Sequence, residues 1–238
     1  MKKQRLLLFA VLISLTAFFV SCKKHNNDAS TRCRIVDVKT SDTSNSEIIF
    51  TYDSSKRLSS ITRLPNGTKQ TFSYSGNLII RNDFTYLGTP LTTDTIAVGP
   101  NGLISTILHV WPFANKILAY DTASYDNKNQ LTRFITTDHT SSNITTYSWD
   151  NGDATMVNYN GKSVAYNYYT DKKASYGDLL WLYDILNYGM SIVRCQHLVK
   201  EASGATVVYK FDSDGKIINA TETYQSTTLT YDYTYSCD

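Results

Sequence analysis

Phe50-Thr51-Tyr52-Asp53-Ser54-Ser55-Lys56-Arg57-Leu58-Ser59-Ser60-Ile61 is the stretch whose reading decides the fold. Residues two apart on a strand face the same side, so Phe50 and Tyr52 present paired rings to one face. Asp53 opens a turn, where a carboxylate accepts hydrogen bonds from backbone N–H groups. Leu58 then starts a return strand opposite an aromatic partner. The pattern recurs at Tyr209-Lys210-Phe211-Asp212 leading to Gly215-Lys216-Ile217, and at Tyr125-Asp126 leading to Gln130-Leu131. Weaker copies run over 72–78, 96–103 and 147–152. Gly102, Gly152 and Gly215 supply the positive φ of a tight hairpin. Lys56 and Asn129 occupy the turns of two modules in place of glycine, which leaves those turn types open.

Strand-like runs at this short spacing predict an antiparallel meander. At typical strand lengths the chain holds roughly 10 to 14 strands, and so long a sheet must curl, close or split. The expected fold is therefore all-β: a large curled antiparallel meander, an open or partly closed barrel-like sheet, with one short helical segment. Composition agrees. Tyr (18) outnumbers Phe (9), and Pro (4) and Gly (11) are few. Tyrosine suits a half-wet strand face, its ring packing while its hydroxyl reaches water. One segment departs from strand periodicity. Leu179, Leu182, Tyr183 and Leu186 follow helical spacing, with Asp178 as N-cap. It reads as a helix covering an end or mouth of the sheet, or as a buried irregular strand.

The first 22 residues give an address. Lys2, Lys3 and Arg5 precede an apolar run from Leu6 to Phe18, too short to span a bilayer comfortably. The run ends in Phe19-Val20-Ser21-Cys22, which resembles a bacterial lipobox. The expected organisation is a lipoprotein signal peptide over 1–21, a flexible tether over 22–31 and a single all-β domain over 32–238. Acyl chains on Cys22 would anchor the chain, at roughly 0.8 kcal/mol per buried CH₂. Three of the 23 basic residues lie in the leader, leaving 20 against 21 acids. That near-neutral balance leaves no basic footprint for nucleic acid.

Cys33 begins the first strand-like run and Cys237 ends the last. If those strands are neighbours, a Cys33–Cys237 disulfide ties the termini; the alternative is free thiols. Cys195 is left over, expected to be buried in a strand. No Cys/His spacing suits a metal and no cofactor is implied.

The Tyr-Asp modules at Tyr52-Asp53 and Tyr125-Asp126, with the variant Phe211-Asp212, resemble YD-type repeats. Together with Cys33, Gln196-His197-Leu198-Val199-Lys200 and the closing 231–237 stretch, the arrangement resembles the DUF4595 family of Bacteroidetes lipoproteins. That resemblance implies a porin-like antiparallel sheet in the cell envelope with no assigned activity. A porin-like shape is not read as a pore, because alternate residues carry Thr, Ser, Asn and Lys where a membrane barrel needs an apolar band.

Asp53, Asp126, Asp150 and Asp212 invite comparison with glycosidase carboxylate pairs, but each sits where Asx capping is expected. His109, His139 and His197 are scattered, without acidic or Cys companions at a useful spacing. Trp111, Trp149 and Trp181 are the candidate ligand-stacking aromatics. Asp94-Thr95-Ile96 and Asp121-Thr122-Ala123 match a short O-glycosylation pattern. The resulting expectation is a non-catalytic, lipid-anchored outer-membrane protein, a binding or scaffold module for a glycan or an envelope protein. Whether it faces the periplasm or the cell surface stays open. The alternatives are a periplasmic lipid- or lipoprotein-handling protein and, behind it, a cryptic glycan hydrolase.

Overall fold

The Asp53 turn shows how the molecule is assembled. The N–H of Asp53 donates to the Arg57 carbonyl at 2.8 Å, and the Arg57 N–H returns to the Asp53 carboxylate at 2.8 Å. Asp126 with Gln130 and Asp212 with Lys216 repeat both bonds. The residue two before each return strand is left-handed: Lys56 at φ 65°, Asn129 at 62° and Gly215 at 80°. Losing glycine in two modules therefore changes the residue and not the turn. Asp53, Asp126 and Asp212 are turn caps, as their positions predict, whereas Asp150 ends its strand paired with Asp153.

In the computed structural model, which describes residues 33–237, these hairpins build one antiparallel sheet. Its strands are β1 (Cys33–Thr40), β2 (Glu47–Tyr52), β3 (Leu58–Leu64), β4 (Thr68–Ser75), β5 (Leu78–Phe84), β6 (Pro90–Val98), β7 (Ile104–Trp111) and β8 (Lys116–Tyr125). They continue as β9 (Leu131–Asp138), β10 (Ser142–Asp150), β11 (Asp153–Tyr159), β12 (Lys162–Lys173), β13 (His197–Ala202), β14 (Ala205–Phe211), β15 (Ile217–Tyr224) and β16 (Thr227–Cys237). Each strand pairs with its sequence neighbours, and β16 returns to β1, closing a barrel of 16 strands. The meander is thus longer than the expected 10 to 14 strands and fully closed. At the seam Cys33 lies opposite Cys237 and Thr40 opposite Tyr231. The Cys33–Cys237 disulfide staples it across a sequence separation of 204. The leader, tether and Cys22 lie outside the described residues.

Up-and-down connectivity sorts the turns into two ends. The disulfide end carries the termini and the aspartate turns. The far end carries the opposite set of hairpins, including the loops after β5 and β7.

Most return strands at the disulfide end start with a bulge. The register slips at Tyr52/Leu58, Val98/Ile104, Tyr125/Leu131, Trp149/Ala154 and Phe211/Ile217. A bulge leaves a backbone group without its ladder partner. Here the next inward aromatic supplies the missing bond. Tyr74 Oη–H donates to the Leu58 carbonyl at 2.8 Å, Trp149 Nε1–H to Leu131 at 2.7 Å, Tyr168 to Ala154 at 2.7 Å and Tyr235 to Ile217 at 2.7 Å. Tyr52 does the same for Ile35 across the β1 irregularity, at 2.7 Å. This recurring lock gives Tyr52, Tyr74, Tyr168 and Tyr235 a shared structural role. Tyr125 stands at the corresponding place opposite the Ile104 bulge, yet its buried hydroxyl has no partner.

Inward positions are apolar: Ile35, Val38, Ile48, Phe50, Ile61, Ile96, Ile107 and Val207 are all buried. Outward positions on β14 are Thr206, Val208 and Lys210. The core of this barrel thus lies on the inward face, where a membrane barrel carries its polar residues. No helix among the described residues is long and apolar enough to cross a membrane.

Between β12 and β13 the chain inserts residues 174–196, containing α1 (Leu179–Tyr188). Asp178 caps it, accepting from the Leu180 N–H at 3.3 Å, and Gly189 ends it in a left-handed conformation at φ 73°. The helix goes beyond the mouth and packs inside the barrel. Leu179, Leu182 and Ile185 join the same core as the strand residues. A Cβ on Gly189 would lie 2.3 Å from the Phe72 ring, so this position must be glycine. Cys195 lies in the returning segment, not in a strand, half-buried beside Tyr168.

Candidate functional site

Two polar or open features interrupt the packed lumen. The first is a cleft of about 620 Å³ at the disulfide end, between the inserted segment and the barrel wall. The wall side is built from strands that flank the seam. Tyr52, Tyr74 and Tyr235 border it, with their hydroxyls already committed to carbonyls. The opposite side comes from the insert. There Tyr176 and Trp181 meet edge to face, with centroids 5.5 Å apart. Four cationic side chains border the cleft: Arg34, Lys56, Arg194 and Lys216. Arg34 sits 5.8 Å over the Tyr52 ring. Just outside, Arg57 stacks 4.3 Å from the Tyr74 centroid while pairing with Asp53 at 2.8 Å.

Asp178 is the one carboxylate among the described lining residues. It accepts from the Tyr209 hydroxyl at 3.0 Å as well as from the helix backbone. Burial pushes its carboxyl up to about 6, against the lowering effect of those hydrogen bonds. Asp184, on the helix, is also buried and pushed up to about 7 by desolvation. It takes the N–H groups of Ile192 at 2.8 Å and Val193 at 2.9 Å, which folds the chain back towards β13. Both carboxylates hold the insert together. Among the described residues lining the cleft, no second carboxylate stands opposite Asp178.

The second feature is a charged network in the lumen nearer the far end. Strand register brings Arg81 opposite Asp94, and Asp94 opposite His109. His109 Nδ1 lies 2.8 Å from Asp94, and its Nε2 lies 2.9 Å from Asp121. Burial alone would lower the imidazole pKa, but its hydrogen bonds to Asp121 and Asp94 outweigh that and hold it up to about 9. His109 is thus a cation at neutral pH. Arg81 ion-pairs with Asp94 and donates to the Asn187 carbonyl at the helix C-terminus. Arg63 donates to the adjacent Leu186 carbonyl at 3.3 Å. Cations at a helix C-terminus complement its dipole, so this network grips the plug from below. Among the described residues no three His, Cys, Asp or Glu side chains gather as metal ligands.

The sequence reading found no acidic companion for His109 or His197, and the structure corrects both. Asp94 and Asp121 flank His109. Asp153 holds His197 at 2.7 Å and also takes the N–H groups of Gln196 and His197 where the insert rejoins the barrel. The signal was present as hairpin offset, with Asp94 and Asp121 placed to meet His109 across adjacent strands. The two Asp-Thr-apolar tripeptides bury their aspartates in this network. The three tryptophans do not converge. Trp181 lines the cleft, Trp149 is a bulge lock, and Trp111 sits exposed near the far-end rim, edge-on to Phe113.

These features define a class: a closed antiparallel barrel packed around its own helix, its lumen apolar near the disulfide end and charged towards the far end, with a cleft beside the plug. No family model and no curated protein matches the chain. Among solved structures, a porin-like protein from Bacteroides uniformis is a neighbour at 15% identity and TM-score 0.39, covering 85% of this chain and 96% of that one. The Photorhabdus luminescens Tc holotoxin pore, mutated in TccC3, is similar at 12% identity and TM-score 0.25, over 80% of this chain. A TcdB2-TccC3 structure is similar at 13% identity and TM-score 0.25. The chain spans about a tenth of those two toxin chains, 9% and 10%.

Proposed function

We propose that this chain is a non-catalytic, lipid-anchored envelope protein of the DUF4595 type that binds a ligand in the cleft at its disulfide end. The observation that carries the binding half is the cleft itself. It is concave, ring-lined and of about 620 Å³, within the size range of small-ligand sites. The anchor half rests on the leader and on Cys22, with the disulfide fitting an oxidising compartment. The lumen gives a lipid cargo little room, because Leu179, Leu182 and Ile185 occupy its apolar half.

Calorimetric titration of the mature chain carrying Cys22→Ser with soluble envelope glycans and peptidoglycan fragments tests the binding half. Saturable heat that disappears with Trp181→Ala supports the cleft, and heat unaffected by that substitution places binding elsewhere. Metabolic palmitate labelling tests the anchor half, with label lost from Cys22→Ser as the expected result.

A further inference from the structure

We infer that the outer wall of β6 to β10 docks a second copy of this chain, making a two-fold pair of barrels. The wall lies on the outward side of the sheet, so the contact is independent of the cleft.

Strand register builds an apolar field there. Ile96, Ile107, Asp121 and Phe134 are buried in the barrel, so the residues beside them on each strand point outward. Leu108 then stands opposite Tyr120, Val110 opposite Ile117, and Ile135 opposite Ile144. The remaining places in these rows are uncharged threonines: Thr93 and Thr95 on β6, Thr122 on β8 and Thr137 on β9. Ile117 is 51% exposed, Tyr120 44% and Ile144 40%. Leu91, Trp111 and Phe113, also exposed, carry the field to the far rim. Among the described residues the charged neighbours stand at its edges, Arg133 towards the disulfide end and Lys116 and Asp138 at the far rim. Asp138 spends its carboxylate on the N–H groups of Thr140 and Ser141, both at 2.7 Å. An apolar centre with aromatic rings, bare of charge and edged by polar groups, has the anatomy of a protein interface.

Three features select a copy of the same chain as the occupant. The rows carry no charge, so the wall meets its own image without the like-charge repulsion that a charged patch would impose. The area is sufficient. Trp111, Phe113 and Tyr120, each about half exposed, alone offer roughly 300 Å². With Leu91, Ile117, Ile144 and the threonine methyls, the field approaches the roughly 800 Å² per partner of a stable pair. The third feature is the position of the ends. A two-fold axis along the barrels sets the two walls face to face and keeps both Cys33 residues at the same end of the pair. Two chains held in one membrane by the anchor proposed at Cys22 need that arrangement.

Sedimentation velocity of the mature chain carrying Cys22→Ser, over about 1–100 μM, tests the inference. The expected result is a pair whose population rises with concentration. Ile117→Lys and Ile144→Lys, made separately, each put a charge and its two-fold mate into the contact, and each should weaken pairing at least about tenfold. Both side chains are exposed, so the thermal melt should persist, and either variant serves if the other misfolds. Val208→Lys, on the outward face of β14, adds the same charge away from this wall and should leave pairing unchanged. A chain that stays monomeric at every concentration would overturn the inference. Pairing that survives both wall variants would also overturn it, by placing the contact elsewhere. A monomer that binds phosphatidylcholine vesicles, and loses them in Ile117→Lys, would overturn it in favour of a lipid surface.

Discussion

The two halves of the lumen are held by opposite chemistries. Near the disulfide end the packed wall is locked by neutral donors. Bulge carbonyls are taken by tyrosine and tryptophan donors, and the space is filled by Leu179, Leu182 and Ile185. Towards the far end the walls carry Arg63, Arg81, Asp83, Asp94, His109 and Asp121 around the helix C-terminus. The neutral half repeats one small bond many times, so no single copy decides the fold. The charged half concentrates its interactions in one connected cluster, where losing a member strands the others. The difference predicts tolerance at one end and fragility at the other.

Removing the centre of the cluster should be the most damaging change. His109→Ala leaves Asp94 and Asp121 facing each other without their shared cation, an expected loss of about 3–5 kcal/mol in denaturant unfolding at neutral pH. The pH profile sharpens this. The imidazole is raised from 6.5 to about 9. Its contribution is therefore fully present below the unfolded value and fades as pH rises through about 9. Wild-type stability should fall across that window, while the variant's curve should be flat there. A wild-type curve flat from pH 6.5 to 9 would sink the charged-cluster account.

Truncation in the neutral half comes next. Leu182→Ala empties a fully buried position on the plug, with an expected cost of about 3 kcal/mol. If the measured cost is below about 1 kcal/mol, the helix is not packed as a core element.

The tyrosine locks give a matched pair. Tyr74→Phe leaves the Leu58 carbonyl without its donor, for about 1 kcal/mol. Tyr125→Phe removes a buried hydroxyl that has no partner, so it should be neutral or slightly stabilising. Equal losses at both positions, read from thermal melts, would break the lock explanation. The smallest effect is a gain. Lys56 holds φ 65°, so Lys56→Gly should relieve left-handed strain and add about 0.5 kcal/mol.

The same contrast separates what was legible in the sequence from what was not. The neutral half was readable because its devices are local. Asp53, Asp126 and Asp212 announce their turns within five residues, and ring alternation marks the strands beside them. Closure was harder, since it depends on counting the weakly patterned strands around β10 to β13. The helix showed in the spacing of Leu179, Leu182 and Leu186. Its place inside the barrel did not, because Phe72, Phe134 and Arg81 contact it from distant strands. The charged half was misread for the same reason. His109 meets Asp94 and Asp121 only once three strands are in register, and no motif spans that offset. Of the cleft, only Trp181 was singled out, since its other walls come from segments far apart in the chain.

The stapled seam has one more consequence. With Cys33 and Cys237 joined and their Cα atoms 4.0 Å apart, the described chain is covalently a ring. A ring of antiparallel hairpins has no privileged first strand. Fusing the natural ends through a short linker and cutting instead in the Ser203-Gly204 turn should leave every neighbour relationship intact. The order in which strands leave the ribosome would change, and the finished barrel would not. Such a permuted gene would also carry its new ends, and any anchor attached to them, to the opposite rim, inverting how the cleft is presented without altering a residue inside it.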